Sequence, residues 1–504
     1  MKNSSFREYF DSVHYGRGAL WGAVAASGLL ALSACSAPEP VGEQYSAAPD
    51  EPAVTPLVPA RYDADGTPLL EDGDLHHRDY SAVQHALASV GRVMRDSEMG
   101  HEAYRPELAD EPMGRQGEAW LAVQDEAGNF MTSDGFAGTR FATDDGWAAG
   151  RNSRLDELAQ AAFSYHMHHS AGRFEDHGLY DAITWQAAPY LAAIPLHVLE
   201  NHYRDGVFCH VDGRMDAASM AQGLDVLHSL SYSWVRWHIP GGADDMGEIS
   251  EERMAESHGI ERDELLDVAR ALADTLDNSW DDQNTAYDFG GGTHYALDDL
   301  GSLIRGHKGL YEILYIFGDS ADAEQAARLF DRMVDMVLAV AEAEAVVQPW
   351  GMAASVAFTA DGVEPASDRV DTAAQWRFVN HLTGGFGPLR ERDGMSDFLA
   401  DRPAFAEAVG ELNDTLFEGA LEHQLQDGLM VRRLDFNTGE ISDAARQVEN
   451  IGWFATAVGN GYRSGEAFDR PGSWDDDEAL AERSRALYDT LRDHNDWLLE
   501  RVDP

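Results

Sequence analysis

The chain has 504 residues, 44% of them hydrophobic, with 37 Lys+Arg against 89 Asp+Glu and a formal charge of −52. That length supports one large domain or two average ones around a real apolar core, whereas so acidic a surface repels nucleic acid and anionic lipid and excludes both as non-specific partners. The acids are scattered along the chain, so they read as the solvated face of a halophile-type protein, and no pair of carboxylates stands out by number alone.

At the N-terminus Lys2, Arg7 and Arg17 precede an uncharged run from Gly18 to Ala34. The run is short for a membrane span and rich in Gly, Ala and Ser, which is the pattern of a cleaved signal. It ends in Leu32-Ser33-Ala34-Cys35. These four residues resemble the lipobox of bacterial lipoproteins. The resemblance covers only the start of the chain; it implies a signal peptide over residues 1–34, diacylation of the Cys35 thiol, and a protein held to the lipid bilayer of the cell envelope. Ser36 stands where an Asp would imply retention in the inner membrane, so the expected address is the outer membrane. Residues 35–74 contain seven of the 18 prolines and read as a disordered tether. Asp63-Ala64-Asp65-Gly66 lacks the ligand spacing of a calcium loop. With Cys35 acylated, Cys209 is the one thiol left, which forbids an intrachain disulfide and points to a buried side chain.

From residue 75 to 504 the pattern is that of a single helical domain. Val83, Leu87, Val90, Val93 and Met94 form an amphipathic stripe, and Ala119 to Met131 reads as a hairpin. Further helices are predicted over 153–170, 179–203, 216–238, 262–279, 297–317, 321–343, 372–382, 404–425, 442–462 and 477–502, with Pro189 and Pro195 breaking the second. The clearest unit is 297–343, two amphipathic helices separated by Gly318-Asp319-Ser320, which stops one and caps the next. Gly309-Leu310-Tyr311-Glu312 through Gly318-Asp319, followed by Ala326-Ala327-Arg328-Leu329, resembles the repeated hairpin of α/α toroid proteins; Gly428-Leu429-Met430 to Glu440 is a partial second echo. The expected fold is therefore all-α, an α/α toroid of helical hairpins with small β-hairpin insertions, and a layered helical bundle is the alternative. No fixed repeat period is visible.

Toroids of this family include glycoside hydrolases, polysaccharide lyases and epimerases, with the site built from loops at one end of the ring. The resemblance thus implies binding or processing of a polysaccharide or glycoconjugate. A non-catalytic envelope binding or assembly lipoprotein and a metal-binding envelope protein are the alternatives. The loop Trp280-Asp281-Asp282-Gln283-Asn284 to Tyr287-Asp288-Phe289-Gly290-Gly291-Gly292-Thr293-His294 offers Trp280 and Tyr287 as stacking platforms. Its Asp282, Asp288 and His294 are candidates for acid, base or nucleophile. Asn380-His381 is similar to the Asn-His pair of toroid lyases, which implies that Asn380 binds a carboxylate and His381 moves a proton. Nine of the 20 histidines fall between His166 and His238, and His166/His169 and His197/Glu200 share helical faces that suit zinc or iron. No His-Glu-x-x-His motif supports a metal, and no cofactor is assigned. His307 lies on the core stripe of its helix and reads as structural. A P-loop, a dinucleotide fingerprint and a Gly-x-Ser-x-Gly elbow are all missing from the sequence. The lipobox yields the first prediction: Cys35→Ser abolishes incorporation of a labelled fatty acid, because only a thiol there can accept the diacylglycerol. Equal labelling of the variant would overturn the lipoprotein reading.

Overall fold

The computed structural model describes residues 61–67, 69, 75–95, 130–132, 135–143, 146–171, 192–238, 251–386, 402–467 and 478–502. The signal, Cys35 and most of the tether lie outside the described residues, as does most of the hairpin predicted over 119–131. The described helices are α1 (His77–Arg95), α2 (Leu155–Ala171), α3 (Ala217–His238), α4 (Glu251–His258), α5 (Arg262–Ser279), α6 (Leu297–Phe317), α7 (Ser320–Ala341), α8 (Thr372–Phe386), α9 (Pro403–His423), α10 (Val448–Ala467) and α11 (Glu478–Val502). Residues 192–202 are also helical and include Pro195, whereas Pro189 lies outside the described residues.

Six of these helices close on themselves. α1 packs on α2, α2 on α3, α3 on α6, α6 on α8, α8 on α10, and α10 returns to α1. The helices α5, α7, α9 and α11 lie outside this ring; α5 stands in the chain between α3 and α6, α7 between α6 and α8, and α9 between α8 and α10, so these inner helices run in one direction. Contacts between their first turns show the common orientation: His77 bonds Ser153 at 3.0 Å, and the Asn450 amide donates to the Thr372 hydroxyl at 2.7 Å. The fold is an α/α toroid, as the sequence predicts.

A small hairpin recurs where the chain turns inward. Strand pairs 131–132/135–136, 203–204/207–208, 280–281/286–287, 347–348/351–352 and 425–426/429–430 share one construction. In each, the residue after the hairpin donates its N–H to the carbonyl of the residue before it: Ala137 to Phe130, Cys209 to His202, Asp288 to Ser279, Ala353 to Val346 and Val431 to Gln424. Four of the five have two-residue turns. The third has four.

Ring closure uses the segment expected to be tether. Arg61–Tyr62 pairs antiparallel with Arg446–Gln447 at the start of α10, and the Leu69 N–H returns to the Arg61 carbonyl at 2.9 Å. Tyr62 meets Trp497 of α11 edge-on at 5.0 Å, and the Arg501 guanidinium lies 4.0 Å from the Trp497 ring centroid. Residues 61–67, inside the segment expected to be tether, are thus held to the helical domain, and buried apolar contact with α11 overrides the proline-rich composition there. Strand pairing also delays α10, which was expected from 442, because Ile441–Asp443 joins Arg433–Asp435 in a sheet. α4 is short and strongly charged, and apolar spacing misses it.

α6 packs closely on α3 because it lacks side chains where they cross. A Cβ on Gly306 would lie 2.4 Å from Leu224 Cβ and 2.9 Å from the Leu224 carbonyl carbon of α3; one on Gly309 would lie 2.9 Å from His228 Cα. Neither backbone can retreat without opening the ring. Gly306→Ala is expected to lower stability by about 1–3 kcal/mol through overpacking, whereas Gly291→Ala, which meets nothing within 4 Å, leaves it unchanged. Thermal unfolding of the two variants checks this.

Candidate functional site

The ring interior is filled at mid-height by one layer to which all six inner helices contribute. His85 comes from α1, Phe163 from α2, Asp225 from α3, Arg305 from α6, Arg377 and His381 from α8, and Trp453 from α10. The rings of His85, Phe163, His381 and Trp453 meet edge-on or tilted at 4.4–5.4 Å. Arg305 lies over Phe163 at 4.9 Å and Arg377 over Trp453 at 5.2 Å. Asp225 is fully buried. It accepts from Arg305 and, at 3.1 Å, from Arg377. Burial opposes its ionisation, but Arg305, His381 and Arg377 more than offset that and hold its carboxyl below the usual range. Burial drives His381 well below its ordinary value, against the pull of Asp225, so the ring is neutral and the arginines carry the compensating charge. His85 is likewise lowered to about 3 by burial.

Two helical turns nearer the N-termini, on the same faces, stand Arg78, Asp156, Asp298 and Glu449. Each lies seven residues before a side chain of the interior (His85, Phe163, Arg305 and Thr456), and a seven-residue rise of about 10 Å sets the mouth above the filled layer. Arg78 bonds both oxygens of Glu449, at 3.1 and 2.9 Å, and approaches Asp156 at 3.9 Å. Arg154 holds Asp156 from outside at 2.9 Å. This half of the mouth is a chain of matched charges.

The facing half is not matched. Asp298 and Asp299 occupy the first turn of α6 and are half-buried. Among the described residues neither makes an ion pair within 4 Å. Asp299 accepts from the Gln222 amide at 2.9 Å. Burial raises the Asp298 carboxyl against Arg377 and Arg78, with Glu449 and Asp371 adding to the rise. Burial first and Asp298 second push Asp299 up to about 8, against the Gln222 bond and Arg377. The helix N-terminus favours anions there, yet dehydration and mutual repulsion win. Repulsion between the two adjacent carboxyls disfavours ionising both, and Arg377 and Arg78 favour the ionised form of Asp298.

The residues singled out from sequence do not assemble at one point. Trp280 and Asp282 lie on the outer wall, where the indole N–H donates to Asp282 at 2.7 Å. Asp288 is exposed and its carboxylate accepts from the backbone of Gly290 and Gly292 at 2.7 and 3.0 Å, which holds the glycine turn. His294 is exposed on a strand paired with Ala357. Tyr287 is fully buried, its hydroxyl 3.0 Å from His307 Nε2, so it has no face for a ligand. Asn380 and His381 are buried in the middle of α8, which runs to Phe386 and not to 382. Cys209 and His307 are buried, as expected. Among the described residues no three His, Cys, Asp or Glu side chains are grouped to hold a metal ion. The side chains of His166 and His169 lie outside the described set. No described helix is long and apolar enough to cross a membrane.

No family model matches the chain, and no curated protein matches it. Among solved structures, a sugar epimerase from a ruminal bacterium is similar at a TM-score of 0.48 with 8% identity over 81% of this chain and 92% of its own. A D-mannose isomerase is similar at 0.43 with 12% identity over 79% and 90%. Identity this low transfers no residue.

The raised carboxyl has a measurable cost to folding. Below about pH 4 an Asp is protonated both folded and unfolded; between about 4 and 8 the unfolded chain ionises while folded Asp299 keeps its proton, so the native state loses stability as pH rises. Asp299→Asn escapes this. Its melting temperature should gain on the wild type from pH 4 to 8 and hold that gain above 8; a difference independent of pH would contradict the assignment.

Proposed function

We propose that the ring mouth is the active site of a carbohydrate-processing enzyme held to the outer membrane through lipidated Cys35. The observation that carries the catalytic part is the unmatched pair Asp298–Asp299, half-buried in the first turn of α6, with Asp298 on the face of Arg305 and Asp299 turned to Gln222 of α3. Sugars present hydroxyls at close intervals, and the mouth offers carboxylates, a guanidinium and the Gln222 amide to receive them. Cleavage of a glycosidic bond needs one carboxyl that gives a proton and one that stays ionised. Asp299 gives its proton to the departing oxygen as the bond from the anomeric carbon breaks, ionised Asp298 offsets the positive charge that develops at that carbon, and the water that adds there returns a proton to Asp299. Acidic sugars fit poorly, since four carboxylates face the entrance.

Release of reducing ends from a panel of neutral polysaccharides tests the reading. Asp298→Asn and Asp299→Asn should each lower turnover by about 10²–10⁴-fold. Wild-type activity should fall as pH rises through about 8, where the acid loses its proton. Turnover unchanged in both variants would remove the pair from the reaction.

A further inference from the structure

The third inward hairpin, beside α7 of the outer layer, departs from its four counterparts. Its turn has four residues in place of two, Asp282 to Thr285. Thr285, a β-branched residue, is held at φ 54°, a conformation such residues rarely adopt. The added residues wall a groove of about 600 Å³ against α7, lined by Trp280, Asp282, Thr285, Asp331, Arg332 and Asp335 among others. Ala327, exposed on α7 between charged neighbours, also lines it.

The Trp280 indole is fixed before any ligand arrives. Its N–H is bonded to Asp282, the Arg332 guanidinium lies 5.2 Å from its ring centroid, and Tyr287 meets it edge-on at 5.0 Å. Arg328 and Arg332 each bond Asp277 at 2.7 Å, which offsets one of their two charges within the wall and leaves Asp282, Glu324, Asp331 and Asp335 in excess over the other. Asp335 is left beside Asp331, and burial with that neighbour raises its carboxyl. We propose that this groove is a second carbohydrate site, which takes pyranose rings without acidic groups. Trp280 and the carboxylates hold them while the mouth works elsewhere on the same chain. A rigid aromatic edge lined by hydroxyl-accepting carboxylates recognises C–H faces and hydroxyls together. The negative balance of the groove turns away uronates.

Affinity electrophoresis of the folded protein through gels containing a β-1,3-glucan, an α-mannan, a xylan or a galactan tests the site, with alginate as the acidic control. Retardation by at least one neutral polymer is expected, weakened tenfold or more by Trp280→Ala and by Asp282→Ala, and kept by Asp299→Asn. Asp282→Ala guards against a folding defect, since Asp282 is exposed. Retardation by none of the neutral polymers, equal retardation of both groove variants, or loss in Asp299→Asn would each overturn the proposal. The mouth reading fails separately, on turnover.

Discussion

A carboxylate with no access to water organises the ring. Asp225 of α3 can stay ionised only because Arg305 of α6 and Arg377 of α8 reach it, and each arginine is itself tolerable there only because of Asp225. Three helices are thereby fixed in register and rotation, at positions separated by 80 and 152 residues in the chain. Aromatic rings from α1, α2 and α10 complete the layer. Charge in such an interior adds little net stability over apolar packing, but it punishes any slip that separates the partners. The glycines of α6 act with it, since they bring α3 close enough for the Asp225–Arg305 pair to form.

That layer also decides where chemistry can occur. It plugs the ring at mid-height, so a ligand is confined to the two turns above it, where parallel helices point their first turns at a common axis. Helix N-termini welcome carboxylates, and two of those present are neutralised, Glu449 by Arg78 and Asp156 from outside by Arg154. Asp298 and Asp299 differ in having only an amide and more distant guanidinium groups. The same constraint that fills the centre, the burial of Arg377 with Asp225, leaves part of its positive potential directed upward at Asp298. The split in proton affinity between the two carboxyls descends from the core.

The helical ring was legible because its units announce themselves locally. The 297–341 hairpin carries an apolar stripe on each helix and a Gly-Asp junction, and Asp319 does form a capping box with Asp322. The inward hairpins were not legible as a repeat. Tyr203, Trp280, Val347 and Leu425 begin equivalent strands of two residues, and they share backbone geometry without sharing chemistry. A strand that short leaves no alternation to read. The tether boundary failed for a related reason: prolines around Arg61–Tyr62 say loop, while only the distant Trp497 and Arg501 give Tyr62 somewhere to be buried.

The site was harder to read than the fold because acids are the background of this sequence. Asp282 and Asp288 drew notice for standing in a loop with aromatics and glycines, whereas Asp298 and Asp299 look like ordinary first-turn acids of a helix. The better signal was present elsewhere. Asp225 in Gly223-Leu224-Asp225-Val226-Leu227, Arg305 after Leu303-Ile304, and Arg377 between Trp376 and Phe378 are charges inside core-facing runs, and no soluble core accepts one of them alone. Matching these three would have located the ring axis, and two turns upstream of Arg305 on the same face stands Asp298. In a chain with so large an excess of carboxylates, number identifies nothing; what separates Asp298 and Asp299 from the rest is that they are dehydrated without a cation in contact.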